Sequence, residues 1–346
     1  MKKKRWLPYA VNFAIIVAIY AVIQLFEIAG VIDPYLMMNI KNILINILLA
    51  VSLNLVTGFL GQLALGHAGF MSVGAYSAAL MTINLPAPIY ISLPLGILFG
   101  GVMAAIFGII IGIPALRLKG DYLAILTLGF GEIIRVVMNN LSITNGAKGL
   151  NGIPAVASLP IVYFVTVFSV AVIYTFINSR HGRAVIAIRD NEIAAEASGI
   201  NTVAYKLFAF VMGAFFAGIA GGLYAHNIGV ISPRDFDFNY SIEILIMVVL
   251  GGMGSVTGSV IAAVILTLVP QILSGFREIT NYRMVIYALI LIIMMLFRPK
   301  GLFGGYEFSL SRFWKKIVIF CKSSDKKKLI NEWFGKKEKE GDSNAS

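Results

Sequence analysis

From Leu7 to Phe297 the sequence is a near-continuous succession of apolar runs separated by short polar connections. Each run is about the 20 residues that a helix needs to cross the hydrocarbon core of a bilayer. In lipid, every backbone N–H and C=O must find a partner inside the protein, so a chain with this pattern folds as a bundle of helices. Composition agrees. Of the 346 residues 58% are hydrophobic and 13% charged, with a mean hydropathy of +0.85, whereas soluble domains carry about 25% charged residues. A soluble enzyme is excluded, and the expected class is an all-α, polytopic membrane protein.

The runs predict ten spans, at 7–26, 36–57, 61–83, 89–113, 121–139, 157–178, 207–226, 241–253, 255–275 and 283–297. The first follows Lys2, Lys3, Lys4 and Arg5 and shows no small-x-small cleavage site before Glu27, so it reads as an uncleaved span. The formal charge of +11 is unevenly placed. With a cytoplasmic N-terminus, 22 of the 28 Lys and Arg fall in residues 1–6, 114–120, 179–206 and the tail from Arg298. Only Lys41, Arg135, Lys148, Arg234, Arg277 and Arg283 lie elsewhere. This asymmetry obeys the positive-inside rule and puts both termini in the cytoplasm. The short eighth span and the turn Gly251-Gly252-Met253-Gly254-Ser255 could form a re-entrant or broken helix, which would change that parity. The expected organisation is a basic segment with the first span in 1–35, a core in 36–305 and a basic cytoplasmic tail in 306–346. A polybasic tail beside a membrane reads as a segment near anionic lipid, not as a nucleic-acid site.

Catalytic and nucleotide-binding patterns are missing. The one Gly-Lys pair, Gly335-Lys336, lacks the upstream glycine and the following Ser or Thr of a phosphate loop. Gly129-Phe130-Gly131 lacks the third glycine of a dinucleotide fingerprint and sits inside a span, where it reads as helix packing. His67, His181 and His226 have no metal-ligand spacing, and Cys321 is the lone cysteine, so neither a metal centre nor a disulfide framework is expected.

Small residues recur at helical spacing in three sets: Ala64, Ala68 and Ser72; Gly100, Ala104, Gly108 and Gly112; and Gly213, Ala217, Gly221 and Ala225. Such faces let helix backbones approach closely in lipid, and Gly100, Gly108, Gly213 and Gly221 are the expected packing positions. Polar residues inside spans mark either cross-helix hydrogen bonds or a solute path. Gln62, His67, Glu132 and Glu243 are the candidate path residues. Asn42, Asn46 and Asn54 invite the same two readings, and Glu132 with Arg135, spaced i,i+3, predicts an ion pair on one helix face. The polar island Arg180–Lys206 is expected as a cytoplasmic connector. Within it Asp190, followed by helix formers through Ala197 and then by Gly199, predicts a short capped helix.

The stretch Gly58–Tyr76, the loop Gly182–Gly199, the run Ala217-Gly218-Ile219-Ala220-Gly221-Gly222-Leu223-Tyr224-Ala225 and the turn Gly251–Ser255 resemble permease subunits of branched-chain amino acid ABC importers. Arg117-Leu118-Lys119-Gly120-Asp121-Tyr122, with Thr144-Asn145-Gly146 and Gly149-Leu150, is similar to the LivM-type subunit more than to its LivH-type partner. The resemblance covers about residues 36–305. It implies a homologous permease partner, two cytoplasmic ATPase subunits that hold ATP and Mg, an external solute-binding protein, and no cofactor on this chain. It also implies a cytoplasmic-membrane location in a bacterium and a coupling loop that contacts the ATPases. Gly182, Arg183, Arg189, Asp190, Glu192, Glu196 and Gly199 are the residues it assigns there. Glu196-Ala197 is followed directly by Ser198-Gly199, a departure from the E-A-A-x-x-x-G form. A permease for another small solute, such as urea or short amides, and a non-transporting membrane scaffold are the alternatives.

Overall fold

The computed structural model describes residues 7–30, 33–118, 120–273, 285, 289, 292, 296, 301 and 302. The chain divides into two units, residues 1–26 with 308–346, and residues 27–307. In the first, the described part is the body of α1 (Leu7–Ile28), where Tyr20 donates to Gln24 one turn on. The predicted tail and most of the tenth predicted span, 283–297, lie outside the described residues.

The second unit is built, in its described residues, from the helices α2 (Pro34–Asn54), α3 (His67–Asn84), α4 (Ile89–Ala115), α5 (Asp121–Asn140), α6 (Leu159–Asn178), α7 (Arg180–Asp190), α8 (Glu192–Ala197), α9 (Thr202–Ile228), α10 (Phe238–Gly251) and α11 (Val256–Leu273). Among the described residues, four segments are long and apolar enough to cross a membrane: Pro34–Phe59, Ile89–Ala115, Leu159–Asn178 and Thr202–Ile228.

Helices α3, α4 and α9 form the hub. Their contact is made by glycines whose place no side chain could take. A Cβ on Gly221 of α9 would meet the Met71 carbonyl oxygen and, at 2.9 Å, the Ala75 nitrogen of α3. One on Gly74 would strike the Gly218 backbone, and one on Gly100 would lie 2.5 Å from the Gly74 carbonyl oxygen. Gly108 faces the Ala214 methyl in the same way, at 2.8 Å, and Gly213 faces Val56, just beyond the end of α2, at 2.7 Å. In lipid, where no water is expelled between helices, such backbone-to-backbone packing supplies the association energy.

Polar side chains then pin the other helices to this hub. Asn227 of α9 donates to Asn42 of α2 at 2.9 Å. Asn46 accepts from Tyr240 of α10 at 2.9 Å and donates to Thr267 of α11 at 3.0 Å. His226 of α9 lies 2.9 Å from Thr82 of α3. Just beyond the end of α9, the α5–α6 and α9–α10 connections meet in one antiparallel bridge between Leu150 and Ile231.

Two boundaries differ from those expected. The third span does not begin at 61: residues 60–66 are non-helical and α3 starts at His67, so Ala64 is not on the α3 face with Ala68 and Ser72. The expected spans 241–253 and 255–275 correspond to α10 and α11, parted at Gly252–Ser255, where Gly252 and Gly254 take φ of +108° and +82°. The 179–206 connector carries two helices, α7 and α8, instead of one. Its first is amphipathic, burying Gly182, Val185 and Ile188 at the helical spacing that points side chains to one face.

Candidate functional site

The helix pair α7–α8 is built by local caps. Ser179 accepts from the Gly182 N–H at 3.2 Å and starts α7, and Asn201 accepts from Ala204 at 3.1 Å and starts α9. The cap of α8 is Asn191, which accepts from the Ala194 N–H at 3.0 Å. This corrects the expectation for Asp190, which instead closes α7 and accepts from the neighbouring Arg189 guanidinium at 3.0 Å. Gly199, at φ +82°, ends the turn after α8 in a conformation that side-chain-bearing residues rarely adopt. Gly182 sits where α7 leaves α6, and a Cβ there would collide with the Phe176 and Ile177 carbonyl oxygens.

Both loop glutamates accept from side chains of α9. Lys206 of α9, its side chain 5% exposed, donates to Glu192 Oε1 at 2.7 Å. Thr202 donates to Glu196 Oε1 at 2.6 Å. Two residues on the first two turns of α9 therefore hold the two ends of α8. Among the residues that α8 and the start of α9 turn outward are two large apolar ones, Ile193 at 80% and Val203 at 70% exposure. His181 of α7 adds a further tie, its Nδ1 3.3 Å from the Tyr205 hydroxyl. Sequence reasoning counted Lys206 only as a loop charge. Its role depends on a partner 14 residues away, which no helical spacing announces.

A second set of contacts joins α7 to the end of α2 and to the α10–α11 break. After Asn54, α2 widens into one π-helical turn, Leu55–Phe59. Such turns commonly mark functional positions. Asn54 accepts from the Gly254 N–H at 2.9 Å and donates to Ser255 O and Ser259 Oγ, each at 2.9 Å. Gly58 leaves room for this, since a Cβ there would overlap Asn54 Oδ1 and the Gly254 nitrogen. Arg189 reaches across from α7 and donates to the Gly58 carbonyl at 3.0 Å. Arg183 donates to the Asn178 carbonyl, at the C-terminal end of α6, at 3.3 Å. Phe59, Ile177, Arg183, Ile186, Arg189 and Met253 are among the walls of a cleft of about 370 Å³ at this junction. Asn54 is the residue here whose connecting role the sequence left open.

The four candidate path residues lie on separate elements. Gln62 is half-buried in the non-helical link between α2 and α3, its N–H donating to Val56 O at 3.0 Å. Irregular backbone at membrane depth needs protein or water around it, and Thr127 of α5 covers the link by accepting from the Leu65 N–H at 3.0 Å. His67 is 3% exposed, with Nε2 2.8 Å from Ser52 of α2. Glu132 and Arg135 pair on α5 at 2.7 Å. Glu243 is half-buried on α10. Of the glycine pair on α5, Gly131 packs on Gly66 while Gly129 faces open space.

Residues 37–295 match the family described as branched-chain amino acid transport system / permease component. The high-affinity branched-chain amino acid transport system permease protein LivM of Escherichia coli K12 is 36% identical over 294 residues, covering 75% of this chain and 68% of that protein. The LivH permease protein of the same system in that organism is 28% identical over 285 residues, 75% of this chain and 91% of that one. The ribose import permease RbsC of Haemophilus influenzae is 28% identical over 301 residues, 80% and 90% of the two chains. No solved structure matches the chain.

Proposed function

The chain belongs to the branched-chain amino acid transport permease family, and we propose on that premise that it is one membrane subunit of an ATP-driven importer for branched-chain amino acids. An external binding protein hands over the solute, a homologous permease completes the membrane part, and two cytoplasmic ATPase subunits bind ATP and Mg and hydrolyse the nucleotide. The chain crosses a bacterial inner membrane ten times with both termini in the cytoplasm. Residues 1–35 form the leading segment, 36–305 the core and 306–346 a basic tail.

The observation that carries the reading is the attachment of α7–α8 to the bundle, in a chain matched to this family across its core. Displacement of α8 by an ATPase reaches α9 through Glu192–Lys206 and Glu196–Thr202. From α9 it passes to α3 and α4 across glycine contacts that have no compressible side chain between them. The loop glutamates thus hold α8 to its own subunit, and Ile193 and Val203 offer the partner an apolar contact. Among the path candidates, Gln62, Glu132 and Glu243 are partly exposed and suited to meet solute, whereas His67 pins α3 to α2. A path with few charges suits an aliphatic amino acid whose recognition is delegated to the binding protein.

The second reading is a different small solute, because the ribose permease and LivH share the same 28% identity with this chain. The test is purification of this chain from its native membrane, followed by ATPase assay in lipid nanodiscs. Co-purifying ATPase subunits whose turnover rises with leucine-loaded binding protein are expected. A chain that purifies without them would overturn the importer reading, and stimulation only by another loaded binding protein would favour the second.

A further inference from the structure

Helix α5 has two unlike faces. Inward, Leu123, Ala124, Thr127 and Ile134 are buried, and Gly131 lies against Gly66. Outward, Tyr122, Ile125, Ile133 and Val136 are between 51% and 73% exposed. Among them stand Glu132 and Arg135, side chains 35% and 34% exposed, with Arg135 Nη2 2.7 Å from Glu132 Oε2. On the same side, a Cβ on Gly129 would meet nothing within 4 Å. The outward face of α4 is different in kind. Leu95, Leu98, Val102, Ile106, Ile109 and Ile113 are all exposed there, and α4 carries no charged residue.

A lipid-facing surface can be built like that of α4 but not like that of α5. At 1.5 Å per residue Glu132 is about 16 Å from the start of α5 and about 12 Å from its end, too far for a short carboxylate to reach either headgroup layer. Charged side chains within membrane helices face the bundle interior, water or another protein subunit, because hydrocarbon solvates neither charge. The pair satisfies its own attraction but leaves a third of each side chain uncovered. We propose that the outward α5 face is the contact with the second permease subunit, a homologue of this chain, which closes over Gly129, Glu132 and Ile133 and makes the pair part of the polar wall between the two subunits.

The occupant follows from the pair of relatives: LivM and LivH of one organism are both permease proteins of a single transport system, and this chain is similar to each. Two permeases of one fold meet most simply through the same face of each, related by a two-fold axis. Gly129 then plays between subunits the part that Gly74 and Gly221 play within one, allowing backbone approach. This inference rests on the membrane-permease reading and on α5 as a span.

The test uses the assembled complex in native membranes, with Cys321→Ser as background. Single cysteines replace Gly129 and Ile133 on α5 and Ile106 on α4. Disulfide-forming oxidant is applied with cysteines placed along the corresponding helix of the second permease, and a bilayer-dissolved maleimide is applied separately. Cross-links from Gly129→Cys or Ile133→Cys to the second permease, with none from Ile106→Cys, are expected. The maleimide should label Ile106→Cys and spare the two α5 positions. Equal labelling of α4 and α5 in a complex that still transports would overturn this inference alone. Cross-linking of α5 only to another copy of this chain would overturn the choice of occupant, and a complex lacking any second permease would remove the reading beneath it.

Discussion

Separating Glu192 from Lys206 should unfasten α8 from α9, and the cost can be worked from their burial. Lys206 is 5% exposed and Glu192 29%, with 2.7 Å between Nζ and Oε1. Breaking a buried pair by removing one partner costs about 3–5 kcal/mol, since the other charge is left unpaired. Glu192→Ala strands the more deeply buried member and is expected to cost about 3 kcal/mol; Lys206→Met leaves a partly hydrated carboxylate and should cost about 2 kcal/mol. The double variant carries no stranded charge, so its loss should stay near about 2 kcal/mol instead of the sum of about 5. At about 2 °C per kcal/mol for a unit of this size, the midpoints should fall by about 6, 4 and 4 °C. Thermal unfolding of the purified complex, followed by tryptophan fluorescence, reads these shifts. In the same variants leucine taken up per ATP hydrolysed should drop, because α8 moves without carrying α9. Additive shifts of about 10 °C in the double variant, or no shift in either single variant as for an exposed pair, would refute the reasoning.

Gly221→Ala should destabilise the complex despite the helix-favouring change, by about 1–3 kcal/mol, because its Cβ meets α3 backbone that cannot rotate away; a rise in the thermal midpoint would contradict the hub packing. Arg189→Ala removes the bond from α7 to Gly58, and it is expected to keep ATP hydrolysis while lowering uptake, with Arg189→Lys intermediate; equal loss of both activities would count against a link. Asn54→Ala takes the acceptor from the Gly254 N–H and should cost about 1–3 kcal/mol, seen as a lower midpoint. A variant as stable as the parent would show that the α10–α11 break is held by other contacts.

The helical architecture was legible because each lipid-length run announces itself without reference to its neighbours. The α10–α11 break was visible as a cluster of glycines, although only Asn54, 200 residues away from Gly254, shows why the chain parts there. The start of α3 was not legible. Residues 61–66 include apolar stretches that a helix could use, but Gly61 takes a φ of +76° beside Arg189, and the Leu65 N–H is satisfied by Thr127 of a distant helix. Helix α7 was hidden for the opposite reason. The polar residues Arg180, His181 and Arg183 read as a connector, while the burial of Gly182, Val185 and Ile188 carries the helical period. The loop glutamates were picked out by type, yet their direction was set by Lys206 and Thr202 on the following helix. For the polar residues in spans, the sequence offered contact or path: Asn42, Asn46, Asn54 and His67 are all engaged across helices in the structure.

The central claim is that this chain conducts solute through the membrane at the expense of ATP. It is tested most directly by uptake of radiolabelled leucine into proteoliposomes holding the complete complex, with ATP on the side of the ATPase subunits and leucine-loaded binding protein on the other. Uptake that requires both ATP and the binding protein, and that the Glu192→Ala variant lowers at unchanged complex content, is the predicted result. An intact complex that hydrolyses ATP in response to leucine-loaded binding protein yet accumulates no label would contradict it.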